Sequence, residues 1–256
     1  MLLAALSLAV CLIWAVTAII GGIQDARSGA RVAELQAIQA APAEQGAALS
    51  PVSAATPEAT PEPPMLPNLA PLYDQNPDLA GWLTIEGTVI DYPVMFRPDD
   101  DDHYLTHNFD NEKDQNGSLL IQMGCDPFAS GRNTIIHGHN MKSGKMFGDL
   151  EEYKKEAYWK EHPVIRFDTL YERGEYEVVA VFLSQVYRKT DDVFKYYHFF
   201  GAKSQAEFDE FYSNIKALAL YDTGVTAQYG DTFITLSTCV YHVQNGRLVV
   251  VAKKVQ

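Results

Sequence analysis

Cysteine is scarce in this chain of 256 residues, which holds only Cys11, Cys125 and Cys239. Cys11 falls inside an apolar run, so two thiols are left that could meet outside a membrane, and a disulfide framework is excluded as the basis of the fold. Basic residues are also few, 20 Lys and Arg against 33 Asp and Glu, for a formal net charge of -13. A nucleic-acid surface needs clustered Lys and Arg to displace counterions from phosphate, and no basic patch stands out, so nucleic acid is not expected as a partner. No internal repeat is visible.

The stretch Leu2 to Ile20 lacks both charge and proline. At ~1.5 Å per residue it reaches ~29 Å, close to a hydrocarbon core of ~30 Å, and reads as a transmembrane helix. It has no basic n-region and exceeds the ~7–15 residues of a signal-peptide core, which favours an uncleaved anchor over a cleaved signal. No Lys or Arg precedes it and only Arg27 and Arg31 follow closely, so the positive-inside rule does not set its orientation. From Gly21 to about Pro71 the chain is rich in Ala, Pro, Glu and Gln, with Pro51, Pro57, Pro61, Pro63, Pro64 and Pro67 breaking any long helix. Such composition reads as a tether with too little apolar surface to fold alone, though Arg31 to Ala41 suits a short helix. The expected organisation is an anchor at 1–20, a linker at 21–70 and one globular domain at 71–256.

After Leu72 the character changes to aromatic and β-branched runs between turn residues. Trp82 to Glu86, Val89 to Val94, Ser118 to Gln122 and Asn133 to His137 read as strands. So do Val164 to Asp168, Glu175 to Tyr187, Thr232 to Thr238 and Leu248 to Lys253. Eight short strands fit a closed or nearly closed β-barrel, a mainly β fold. One segment breaks the alternation: Phe208, Phe211, Tyr212, Ile215, Leu218 and Ala219 fall on one helix face, with Ser204 and Glu207 forming a capping-box pattern before them. That aromatic stripe reads as core packing.

Cys239 ends an apolar strand, and Gly246-Arg247 starts the next, which sets a thiol and a guanidinium at adjacent strand ends. Taken alone, a strand cysteine reads as a packed, inert thiol. The segment IIHGHNM changes the balance, because His137 and His139 also lie where a strand gives way to a loop. A thiolate nucleophile, an imidazole general acid and a guanidinium facing developing charge satisfy the needs of acyl transfer.

Other constellations compete. His137, His139, Cys239 and His242 can be drawn as a zinc site, but their spacing lacks a surrounding metal motif. The acidic runs Asp99 to Asp102 and Asp110 to Gly117 invite calcium, yet the second departs from EF-hand order, and solvated loops are the better reading. Cys125 lacks a basic neighbour in sequence and reads as structural. A papain-type hydrolase would place its cysteine before its histidine and on a helix, the reverse of the order here. A non-enzymatic, membrane-tethered β-barrel module is the remaining rival.

The segments IIHGHNM, TLSTC and GRLVV, in that order, resemble the sortases. NPDLAGWLTIEGTVIDYPVM at 76–95, YLTHNFD at 104–110 and HGHNMKSGKMFGDL at 137–150 are similar to the class B branch. The resemblance spans about Leu72 to the C-terminus. It implies an eight-stranded sortase barrel with N-terminal helical structure and one amphipathic helix before the last strands. It also implies a transpeptidase with Cys239 as nucleophile, His139 as general acid and Arg247 as the carbonyl-facing cation, needing no cofactor or metal. Leu105, Ser237 and His137 are expected to line the substrate groove. His137 stands where many class B members carry tyrosine, and Asp101 where an asparagine precedes the Tyr-Leu pair. The implied partners are exported proteins with a sorting motif and an amine of the peptidoglycan precursor or of another protein. The implied location is a Gram-positive cell membrane, single-pass, with the domain outside.

Overall fold

The computed structural model describes residues 2–41, 63–100 and 102–255, with side chains from Trp14 onward. The strands are β1 (Leu79–Thr84), β2 (Asp91–Met95), β3 (Leu119–Ile121), β4 (Asn133–His137), β5 (Val164–Thr169), β6 (Glu175–Gln185), β7 (Phe233–Cys239) and β8 (Gly246–Lys254). Each of the eight apolar runs read from the sequence is one of them. They close in the order β1-β2-β3-β4-β7-β8-β6-β5. Pairing of β1 with β5, Leu83 opposite Phe167, completes the ring and removes the unpaired edge that an open sheet would present.

Two pairings are parallel, β2 with β3 and β4 with β7, and the rest are antiparallel. Parallel pairing brings the C-terminal ends of β4 and β7 to one rim, and antiparallel pairing brings the start of β8 to the same rim.

The helices are α1 (Leu2–Ala40), α2 (Ala70–Tyr73), α3 (Glu156–Glu161) and α4 (Gln205–Leu218). In α4 the Ser204 hydroxyl accepts from the Glu207 amide, as the capping pattern predicts. The Glu207 carboxylate reaches back one residue further than in a capping box, accepting from the Lys203 amide at 2.7 Å. Phe208, Phe211 and Ile215 bury themselves against Val179, Phe182, Val249 and Val251, each worth about 1.5–3 kcal/mol. This explains the unbroken apolar run of β8: Leu248, Val250 and Ala252 belong to the barrel interior, and Val249 and Val251 face α4.

The linker expectation is corrected over its first part. Gly21 to Ala30 is not an extended tether but continues α1, and the short helix expected from Arg31 onward is the end of that same helix. The stretch contains no proline and is rich in Ala, the best helix former, and tertiary contacts hold its end on the domain. Leu35 is buried with Leu69, Leu72, Leu79 and Trp82, Gln36 Nε2 donates to the Asp91 carbonyl at 2.9 Å, and Arg31 forms a two-pronged pair with Asp110 at 2.8 Å. Among the described residues no helix is long and apolar enough to cross a membrane. Pro51, Pro57, Pro61, Asp101 and the Cys11 side chain lie outside the described residues.

Candidate functional site

At the rim shared by β4, β7 and β8, Cys239 is the last residue of β7 and sits directly opposite Arg247 in the antiparallel register. Opposed residues of such a pair project from the same face with Cβ atoms ~4.5–5.5 Å apart, so the register itself makes neighbours of thiol and guanidinium. Cys239 is exposed, although the six residues before it in β7 are buried. Arg247 is half-buried, and Nη1 donates to its own turn, to the carbonyls of Gly246 at 3.0 Å and Asn245 at 3.3 Å.

His139 lies two residues beyond β4. Its Nε2 meets the Leu105 carbonyl at 2.7 Å. A carbonyl can only accept, so Nε2 carries the proton, and in the neutral ring Nδ1 is the nitrogen left to exchange one. Gly138 between the two histidines is dictated by space: a Cβ there would lie 2.5 Å from Leu119 Cδ2 and 2.7 Å from Phe147 Cδ2. The histidine segment is stitched to β7 on both sides, with Thr238 Oγ1 donating to the Gly138 carbonyl at 2.8 Å and Asn140 Nδ2 donating to the Cys239 carbonyl at 2.9 Å. The Asn140 amide also donates to Glu151. Lys154 first and Asn140 second hold the Glu151 carboxyl below the usual carboxylate range.

The remaining sequence-derived residues join the same groove, a cavity of about 480 Å³ lined by Leu105, His137, His139, Ser237, Cys239 and Arg247. His137 Nε2 meets Gln122 Oε1 at 3.0 Å. Ser237 is buried, its hydroxyl 2.8 Å from the Tyr196 hydroxyl, and burial pushes the Tyr196 phenol up to about 12. The sequence reading missed Gln122, Met123, Tyr197 and Phe200, which line the groove as well. The aromatic run from Phe194 to Phe200 was the available signal for the last two. Asn140 also went unremarked, within the very segment that carries the histidines.

Cys125 is placed quite differently. It is buried, and its sulfur accepts from the Ile135 amide at 3.3 Å. Burial pushes its thiol up to about 11, away from thiolate. The acidic turn is engaged by protein groups, Asp110 by Arg31 and Asp114 by the Asn116 amide. Among the described residues no three His, Cys, Asp or Glu side chains are grouped to hold a metal ion.

A β-barrel whose rim gathers a reachable thiol, an imidazole and a guanidinium belongs to the class of proteins suited to acyl transfer through sulfur. Comparison with known proteins gives this class a family. The sortase domain matches residues 83–255. Sortase B of Listeria monocytogenes is 35% identical over 189 residues, covering 73% of this chain and 74% of that protein. The crystal structure of Bacillus anthracis sortase B in complex with AAEK1 is 31% identical with a TM-score of 0.72, covering 91% of this chain and 99% of that one. A Staphylococcus aureus sortase B-substrate complex has a TM-score of 0.75 at 23% identity, which shows the shared fold. The chain belongs to the sortase family, on its class B branch. It is therefore a sortase enzyme, of the cysteine transpeptidase kind and associated with the cell surface, and the papain-type and non-enzymatic readings fall away.

Proposed function

We propose that Cys239 attacks the threonyl carbonyl of a C-terminal sorting motif in an exported protein. The thiolate forms a bond to the carbonyl carbon, the C–N bond breaks, and His139 delivers a proton to the departing nitrogen, leaving a thioester on Cys239. An amine of the peptidoglycan precursor or of another protein then attacks the thioester, yields its proton to His139 and releases the thiolate. Arg247 donates hydrogen bonds to the carbonyl oxygen while charge builds on it. Leu105, Ser237 and His137 form walls of the peptide groove.

The observation that carries this reading is the cross-strand pair of Cys239 and Arg247 at the mouth of a groove that His139 also lines. The experiment is mass spectrometry of the enzyme after incubation with a library of sorting-motif peptides. An acyl adduct on Cys239, discharged by added amine, is expected. Turnover without an adduct on Cys239 overturns the assignment.

The reading extends to location. Trp14, Val16, Ile19, Ile20 and Ile23 of α1 are exposed apolar side chains that the domain does not cover, and the uncharged start of this helix anchors the enzyme as a single-pass protein with its domain outside the cell. Deleting residues 1–22 should move the enzyme from the membrane fraction to the soluble one. Retention in the membrane contradicts the anchor.

A further inference from the structure

Two loops meet at His139. One, between β2 and β3, supplies the Leu105 carbonyl that receives Nε2. The other, after β4, carries His139 itself and folds back so that Asn140 bridges to Met146 and the Phe147 amide donates to the His139 carbonyl at 2.9 Å. Neither loop is fixed by strand pairing over its whole length, yet the proton-carrying nitrogen depends on both.

A single side chain from α1 joins them. Asp25 Oδ1 accepts from Lys145 Nζ at 2.7 Å and from Asn116 Nδ2 at 3.2 Å. Lys145 adjoins Met146, the bridge partner of Asn140. Asn116 adjoins Gly117, which holds φ +58 and approaches the Leu105 carbonyl so closely that a Cβ would sit 2.7 Å from its oxygen. The contacts form a closed circuit: Asp25, Asn116, Gly117, Leu105, His139, Asn140, Met146, Lys145 and back to Asp25. Asn116 is buried, and its Oδ1 has no partner among the described residues. Without Asp25 the whole amide head would lose its partners, a cost that would be relieved by moving the loop.

We infer that Asp25 is a positioning residue for His139, clamping the two loops whose hydrogen bond sets the orientation of the imidazole. It touches neither substrate nor thiol. This rests on the catalytic role proposed for His139. It also makes α1 a working part of the enzyme and not merely its mooring.

The test uses the full chain and steady-state cleavage of one sorting-motif peptide. Asp25→Ala and Lys145→Met should each lower kcat on the order of tenfold with KM unchanged, less than the ~10²-fold that a 1 Å displacement of a catalytic group can cost. The swap Asp25→Lys with Lys145→Asp should recover much of the loss, because the pair is rebuilt and the idle Asn116 Oδ1 can accept from the new lysine. Gln36→Ala, which removes a contact of the same helix far from the groove, should leave kcat unchanged. Wild-type kcat in both Asp25→Ala and Lys145→Met, with His139→Ala inactive, overturns the clamp while sparing the catalytic reading. A loss equalled by Gln36→Ala also overturns it, since helix docking alone would then suffice. If His139→Ala is active, both readings fall together. Should Asp25→Ala fold poorly, Lys145→Met and the swap decide the matter.

Discussion

The two thiols among the described side chains have the same chemistry and opposite surroundings. Cys125 follows β3, buried, with its sulfur bound to the Ile135 amide and its ionisation pushed up to about 11. Cys239 ends β7, exposed, opposite Arg247 and on the rim that carries His139. Residue type makes both candidate nucleophiles. Topology separates them: parallel pairing of β4 with β7 and antiparallel pairing of β7 with β8 bring three strand ends to one place, and only Cys239 is there.

The largest effect that can break this contrast is in the pair of alanine variants. Cys239→Ala should lose acyl-enzyme formation entirely while keeping its fold by circular dichroism, whereas Cys125→Ala should turn over normally. Equal activity of the two variants in a peptide-cleavage assay would erase the distinction.

Next in size is His139→Ala, expected to lower kcat and kcat/KM by ~10²–10⁴, the contribution of one positioned general acid. His137→Ala and His137→Tyr should instead raise or lower KM with little change in kcat, since that ring leans on Gln122 in the groove wall. Steady-state kinetics on one peptide separates them. An inactive His137→Ala beside an active His139→Ala would exchange the roles.

Arg247→Lys keeps the charge and loses the planar fork. If the fork serves the developing oxyanion, kcat should fall by about 10²–10³, or ~2.7–4 kcal/mol. Near-normal kinetics would reduce Arg247 to a source of positive charge beside Cys239.

The smallest effect sharpens the comparison from the other side. Cys125→Ala should cost about 1–3 kcal/mol of stability, because the buried Ile135 amide loses its acceptor. The folded protein holds the Cys125 proton more tightly than the unfolded chain does, so this contribution is full below about pH 9 and shrinks as pH rises toward about 11. Urea denaturation of both proteins at pH 7 and pH 10.5 should show the gap narrowing.

The strands were legible because alternation and β-branched runs are local, and β8 stood out because α4 covers one of its faces and the barrel interior the other. The cap of α4 was legible for the same reason, lying within four residues of Ser204. Of the second half of α1 only Arg31 to Ala41 was legible, as a short helix, and its continuity with the apolar start and its docking on the domain were not. Its few apolar side chains look inadequate for folding until Leu35 meets Leu69 and Trp82, contacts that no local pattern displays. The site divides likewise. Cys239, Arg247 and the pair His137 and His139 stand out at strand ends, and the resemblance to sortases chose His139 over His137 and added Leu105 and Ser237, all of which share one groove. Asn140 and Asp25 make their hydrogen bonds to residues 99, 91 and 120 positions away, so nothing near them in sequence marks them.

The most direct measurement is residue-resolved mass spectrometry of the folded chain during alkylation with iodoacetamide, with and without a sorting-motif peptide. Cys239 should be modified rapidly and stoichiometrically, and the peptide should protect it, while Cys125 stays unmodified until the protein is unfolded. An inert Cys239, or a Cys125 modified first in the folded protein, would contradict the account.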